Sequence, residues 1–162
     1  MKKYFKYSVL AVIAMMCMCV FIACGGDDKD DDLPVGYVKT TEGVHRIDVS
    51  FEGDLTGWEG QMTFVATYGT AYNVKLFKNG QQIADDGGVI IEVLEDCSIE
   101  TDSRCDQMNV GIILSNYRQT NGSVKVTLRS FINGQPKKVK TVEFTDSYKT
   151  IVFNAELDAD KY

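Results

Sequence analysis

The sequence predicts an all-β fold, an antiparallel two-sheet sandwich, from three observations. Apolar and polar residues alternate along most of the chain after Val44, Asn-Gly pairs separate several of the alternating runs, and no long window has a helical period. The overall composition, 44% hydrophobic and 25% charged, is typical of one globular domain. An immunoglobulin-like or transthyretin-like sandwich fits the strand spacing, and a small closed β-barrel is the alternative.

The strands are predicted from a period of two. Ile47, Val49 and Phe51 form the first run and alternate with polar residues, which places one face on the core and the other in water. Further alternating runs occupy 62–68, 72–76, 108–114, 124–128 and 151–157. Val89–Leu94 is more continuously apolar than the alternating runs, which predicts a central strand that is covered on both faces.

The turns are predicted from residues that tolerate positive φ angles. Asn79-Gly80, Asn121-Gly122 and Asn133-Gly134 are the pairs preferred in two-residue hairpin turns. Asp85-Asp86-Gly87-Gly88 predicts a further turn. These positions divide the chain into short strands, as a sandwich requires.

Charge and motifs exclude several classes of function. The formal net charge is −6, and nucleic acid binding needs clustered Lys and Arg, so no nucleic acid partner is expected. His45 is the single histidine, which argues against a zinc site, a catalytic histidine pair, and any metal or other cofactor. We therefore predict a protein that is not an enzyme, with a hydrolase that uses an acidic pair among Glu52, Asp54, Glu92 and Glu95 as a remote alternative.

The amino terminus predicts a secretory signal. Lys2, Lys3 and Lys6 precede the apolar run Val9–Ala23, and Cys24 follows it. As a helix this run would span about 22 Å, less than the roughly 30 Å of a bilayer core. A cleaved signal is therefore favoured over a retained membrane helix.

Phe21-Ile22-Ala23-Cys24 resembles a bacterial lipobox, although Phe21 departs from the usual aliphatic residue. The resemblance implies that Cys24 carries diacylglycerol and palmitate and anchors the mature chain to a membrane. The acidic stretch Asp27–Asp32 resembles the surface-export signal of Bacteroidetes lipoproteins. It implies an outer-membrane protein exposed at the cell surface, with the periplasmic face as the alternative.

These features divide the chain into three parts: a signal peptide at 1–23, a lipidated acidic tether and linker at 24–43, and a β-sandwich domain at 44–162. The cysteines follow the same division. Cys17 and Cys19 leave with the signal and Cys24 is lipidated, so Cys97 and Cys105 are predicted to form a disulfide in the exported domain. Two buried free thiols are the alternative.

A binding or adhesion module is the function that the sequence favours, with a glycan or a surface protein as partner. Trp58 lies in the glycine-punctuated segment Gly53–Gly60, where an exposed indole could stack on a sugar, or where it could cap the core instead. Lys137, Lys138 and Lys140 predict a protected edge strand rather than an anion site. A structural subunit joined by strand donation is the second hypothesis.

Overall fold

The computed structural model describes residues 40–69, 71–102, 105–116, 122–145 and 148–156, and for Tyr148 and Lys149 the backbone alone. Every regular element in these ranges is a β-strand, and none of their residues forms a helix that could cross a membrane. The ten strands are β1 His45–Glu52, β2 Trp58–Thr67, β3 Leu76–Lys78, β4 Gln81–Ala84, β5 Gly88–Ile91, β6 Cys97–Thr101, β7 Gln107–Asn116, β8 Val124–Ile132, β9 Gln135–Phe144 and β10 Tyr148–Asn154.

The strands form two antiparallel sheets. The larger sheet has the order β4-β3-β6-β1-β8-β9 and the smaller one the order β10-β7-β2-β5. This confirms the predicted two-sheet sandwich. The closed barrel is wrong, because each sheet ends in edge strands instead of pairing back onto itself.

The core lies between the sheets and follows from the alternation in the sequence. In β1, Ile47 and Val49 are buried, whereas Arg46 and Asp48, which alternate with them, point outward and form an ion pair. In β2, Met62 and Phe64 are fully buried against the larger sheet. Pairing of β1 with both β6 and β8 places its apolar side chains at the centre of this core.

Two of the predicted Asn-Gly turns are confirmed. Asn79 and Gly80 join β3 to β4 with φ angles of 52° and 79°, and Asn133 and Gly134 join β8 to β9 with 51° and 75°. The third pair includes Asn121, which lies outside the described residues. Asp85–Gly87 turns the chain from the larger sheet into the smaller one, as predicted.

The assignment of Val89–Leu94 to a central strand is wrong. Its ordered part is β5, the four-residue edge strand of the smaller sheet. Val89 and Ile91 pack against the core, but Ile90 between them is exposed. The three apolar residues Val89–Ile91 therefore hide an ordinary alternation, because the outward position also carries an isoleucine.

The sandwich has two ends that carry different loops. The far end consists of Gly53–Gly57 and Glu92–Asp96, which connect strands at the carboxyl end of β1. The near end consists of Thr40–Val44, Tyr68–Lys75, Cys105–Asp106 and Glu156, with residue 70 outside the description. Thr41 joins the first and last of these segments, because its backbone N–H and its hydroxyl donate to the Glu156 carboxylate at 2.8 and 2.6 Å.

Candidate functional site

The near end presents two exposed aromatic rings. Tyr68 and Tyr72 expose 39% and 41% of their surface, in the connection between β2 and β3. We call the described residues Tyr68, Gly69, Ala71 and Tyr72 the tyrosine loop. It begins directly after β2 ends at Thr67, so its first ring lies beyond the covered part of the sandwich.

Hydrogen bonds hold the first half of the tyrosine loop in place. Tyr68 and Ala71 exchange backbone N–H to C=O bonds, both of 3.0 Å. Asp106 holds the same turn from the β6–β7 connection, because its Oδ2 accepts from the Gly69 N–H at 2.7 Å. The Asp106 N–H in turn donates to the Thr67 carbonyl at 2.9 Å. A charged acceptor on a backbone donor is a strong contact, so this turn is well fixed.

Gly87 fixes the second half of the loop by close approach of backbone. Its φ is 74°, and a Cβ added there would lie 2.4 Å from the Ala66 carbonyl oxygen and 2.8 Å from that of Tyr72. The Gly87 N–H donates to the Val74 carbonyl, and its own carbonyl accepts from the Ala66 N–H. The Tyr72 backbone is thereby packed against the turn between β4 and β5.

The arrangement suits binding of a ring-shaped, uncharged ligand. A phenol ring offers a flat apolar face and a hydroxyl that donates or accepts, which matches the apolar face and the hydroxyl groups of a sugar. The fixed backbone lowers the ordering cost of such a contact. The sequence interpretation missed this site because Tyr68 and Tyr72 were both counted as strand positions; two tyrosines on either side of Gly69 were the available signal.

Trp58 lies at the far end and is not exposed. Only 6% of its surface is accessible, and its ring meets that of Phe144 edge-on with centroids 6.4 Å apart. Its indole Nε1 is buried with no hydrogen-bond partner in the described part of the chain. The assignment of Trp58 as an exposed ligand-binding residue is therefore wrong, and the residue closes the core as in the alternative interpretation.

Cys97 and Cys105 are buried free thiols, which corrects the predicted disulfide. Cys97 lies opposite Val49 in the antiparallel pair of β1 and β6, whereas Cys105 forms an isolated backbone β-bridge with Gly43, just before β1. Along β1 these two partners are separated by about 20 Å of extended chain, and a disulfide requires Cα atoms about 4.4–6.8 Å apart. The segment between the cysteines begins with β6, so it carries them to opposite ends of the sandwich.

Burial also makes these thiols unreactive. It raises the pKa of Cys97 to about 11 and that of Cys105 to about 12, because a thiolate loses its hydration inside the core. The nucleophilic form is the thiolate, so neither side chain is poised for chemistry.

His45 is fully buried at the start of β1 and has no access to a substrate. Its Nε2 donates to the Thr41 carbonyl at 2.7 Å, and its backbone N–H donates to the Thr101 hydroxyl at 2.9 Å. Burial lowers its pKa, because the imidazolium would be poorly solvated, despite the opposing effect of the Thr41 bond and of Glu156 and Asp106. His45 thus stabilises the near end as a neutral side chain.

Three of the four carboxylates considered for a hydrolase have local partners. Glu52 pairs with Lys125 at 3.4 Å and Glu95 pairs with Lys78. The Thr56 hydroxyl and N–H donate to Asp54 and lower its pKa. Within the described ranges no group of three or more His, Cys, Asp or Glu side chains could hold a metal ion. Cys24, the predicted lipidation site, lies outside the described residues.

Three solved structures share this fold. A DUF4425 family protein from Bacteroides ovatus has a TM-score of 0.63 and 19% identity over 71% of this chain and 97% of its own. A DUF4425 domain of unknown function from Bacteroides vulgatus has 0.62 and 18% over 75% and 100%. The calcium-bound form of a protein from Parabacteroides distasonis has 0.54 and 16% over 78% and 100%.

These likenesses relate the fold to uncharacterised domains of Bacteroidetes. No protein-family model matches the chain, and no curated protein matches it. None of the structural neighbours carries a named enzymatic activity.

Proposed function

We propose that this chain is a non-catalytic binding module of the outer membrane, exposed at the cell surface through a lipidated Cys24, and that the tyrosine loop binds neutral sugars. One observation carries the binding proposal. Tyr68 and Tyr72 are exposed on a backbone that Asp106 and Gly87 hold in place. Accessible rings on a fixed backbone lose less binding energy to ordering than rings on a mobile loop.

Titration with neutral oligosaccharides tests the tyrosine loop. A panel of gluco-, xylo- and mannooligosaccharides is added to the wild-type chain, and backbone amide shifts are followed by NMR. We expect shifts around Gly69 and Tyr72, and a loss of affinity of about tenfold in Tyr72→Ala, as expected for loss of about 1.4 kcal/mol of stacking. Val93→Ala is the matched control, because Val93 is 61% exposed at the far end. Equal affinity of wild type and a Tyr68→Ala/Tyr72→Ala double variant would refute the site.

A separate experiment tests the anchor. Cells are labelled with radioactive palmitate, and we expect label in the wild-type chain and none in Cys24→Ser, which should leave the membrane fraction. Protease treatment of intact cells distinguishes surface display from the periplasmic face.

The two other hypotheses have less support. A polymer joined by strand donation would bring a strand of a second copy to this edge, and Lys138 and Lys140 on the inner side of β9 disfavour pairing of like strands. The hydrolase needs two carboxylates acting together, and Glu52, Asp54 and Glu95 are each engaged elsewhere.

A further inference from the structure

We propose that the free edge of β9 binds an acidic peptide in an extended conformation, which adds to the larger sheet as an antiparallel strand. This inference is independent of the tyrosine loop. The partner is a segment of another protein in which acidic and apolar residues alternate.

The edge is long and accessible. β9 pairs with β8 in unbroken register from Lys138 to Phe144, beyond a register shift next to Pro136, and has no described strand on its other side. Its backbone groups along that side are a template for strand addition. Val139, in the middle of the strand, is 64% exposed, so an apolar side chain is presented next to these backbone groups.

The lysines of β9 lie on both faces of this edge. Lys140 is opposite Leu128 and Lys138 is opposite Ser130, both of which are buried, so these two lysines lie on the inner side. The Lys138 ammonium lies 5.5 Å from the centre of the Phe153 ring in β10. Val139 is opposite the exposed Arg129 and lies on the outer side, whereas Lys137 is exposed at the register shift between Pro136 and Lys138.

This pattern specifies the partner. Side chains of an added strand alternate between the same two faces as those of β9. Positions facing Lys138 and Lys140 would favour Asp or Glu, and positions facing Val139 would favour apolar residues. The same lysines repel a strand with basic side chains, and a neutral strand would bring no negative charge to their ammonium groups. They therefore select an acidic strand and do not block the edge altogether.

The experiment uses the full chain in detergent and a ten-residue probe of alternating Asp and Val, labelled for fluorescence anisotropy. We expect binding that weakens with added salt, with amide shifts confined to β9 and β8. Lys138→Glu/Lys140→Glu should lose about tenfold or more in affinity, since each reversed pair contributes about 1 kcal/mol. Lys75→Glu, a reversal at an exposed loop position, is the control and should bind as wild type.

Two further peptides separate strand addition from simple charge attraction. A peptide with five Asp followed by five Val, and an alternating peptide methylated at every second backbone nitrogen, should both bind at least tenfold more weakly. Equal binding of either peptide would overturn the proposal, as would equal binding of an alternating Ser-Val peptide. A β9 edge occupied by a second copy, seen as a concentration-dependent dimer that Val139→Pro disperses, would also overturn it.

Discussion

The two ends of the sandwich place their aromatic residues in opposite ways. At the far end, Trp58 turns inward and packs edge-on against Phe144 beneath the Gly53–Gly57 loop. At the near end, Tyr68 and Tyr72 turn outward from a loop that hydrogen bonds hold in place. Both segments look alike in sequence, because each places large aromatic residues next to glycine.

The position of the strand end explains the difference. Trp58 is the first residue of β2 and shares the inward phase of Met62 and Phe64. Tyr68 shares that phase too, but β2 ends one residue before it. Whether an aromatic residue with this phase is buried or exposed thus depends on whether it lies within β2 or just beyond its end, and a single position decides it.

The largest expected effect is a loss of stability caused by a substitution at the far end. Trp58→Ala should lower the free energy of unfolding by about 3–5 kcal/mol, because it removes a buried ring and leaves a cavity. Tyr68→Ala at the near end should change it by less than about 1 kcal/mol. Urea denaturation of both variants gives the comparison, and similar losses would contradict the assignment of the two rings.

The next largest effect is that of a substitution at Gly87, which distinguishes the cost of a steric contact from the cost of a positive φ angle. Gly87→Ala should cost about 2–4 kcal/mol, because the new Cβ meets two carbonyl oxygens in a region of positive φ. Gly80→Ala is the matched control: its φ is also positive, but nothing lies within 4 Å of the added Cβ. We expect about 1 kcal/mol there, measured by thermal unfolding, and equal costs would show that the contact with Ala66 and Tyr72 is unimportant.

Asp106→Asn should have a smaller effect. The variant replaces a charged acceptor of the Gly69 N–H by a neutral one, so we expect a loss of about 1 kcal/mol and faster hydrogen exchange at Gly69. Asp85→Asn, at an exposed turn position, should change neither quantity. Unchanged exchange at Gly69 in Asp106→Asn would mean that the carboxylate does not hold the loop.

The pH dependence of the near end comes from His45. Burial lowers its pKa in the folded chain, so the unfolded chain takes up the proton first and stability falls as the pH drops below about 6.5. The slope is at most about 1.4 kcal/mol for each pH unit, and above pH 6.5 this group contributes no slope. Glu156 and Asp106 moderate the shift and Lys137 increases it. His45→Gln should remove this part of the slope in urea titrations at pH 5 and 7.

The smallest expected effect is that of a reductant. Because Cys97 and Cys105 are free and far apart, dithiothreitol should leave the midpoint of unfolding unchanged. Both thiols should react with a maleimide only after unfolding. A native mass that rises by two hydrogens on reduction would instead show a cross-link between the two ends.

The sequence was sufficient to predict strands that have one face in contact with solvent. The alternation in β1 and β8 and the Asn-Gly pair at 133–134 predicted strands and a hairpin that the structure contains. It was insufficient where the outcome depends on neighbours in space. Spacing could not show that Cys97 and Cys105 flank an extended segment, and an apolar run could not show that Ile90 points outward from an edge.

The path of mechanical load through the near end follows from two contacts already described. The Gly43 N–H donates to the Cys105 carbonyl at 2.8 Å, and the next residue, Asp106, accepts from Gly69 in the tyrosine loop. The segment that begins at Thr40 is therefore mechanically joined to the tyrosine loop through two adjacent residues, Cys105 and Asp106, and not only through the strands of the core.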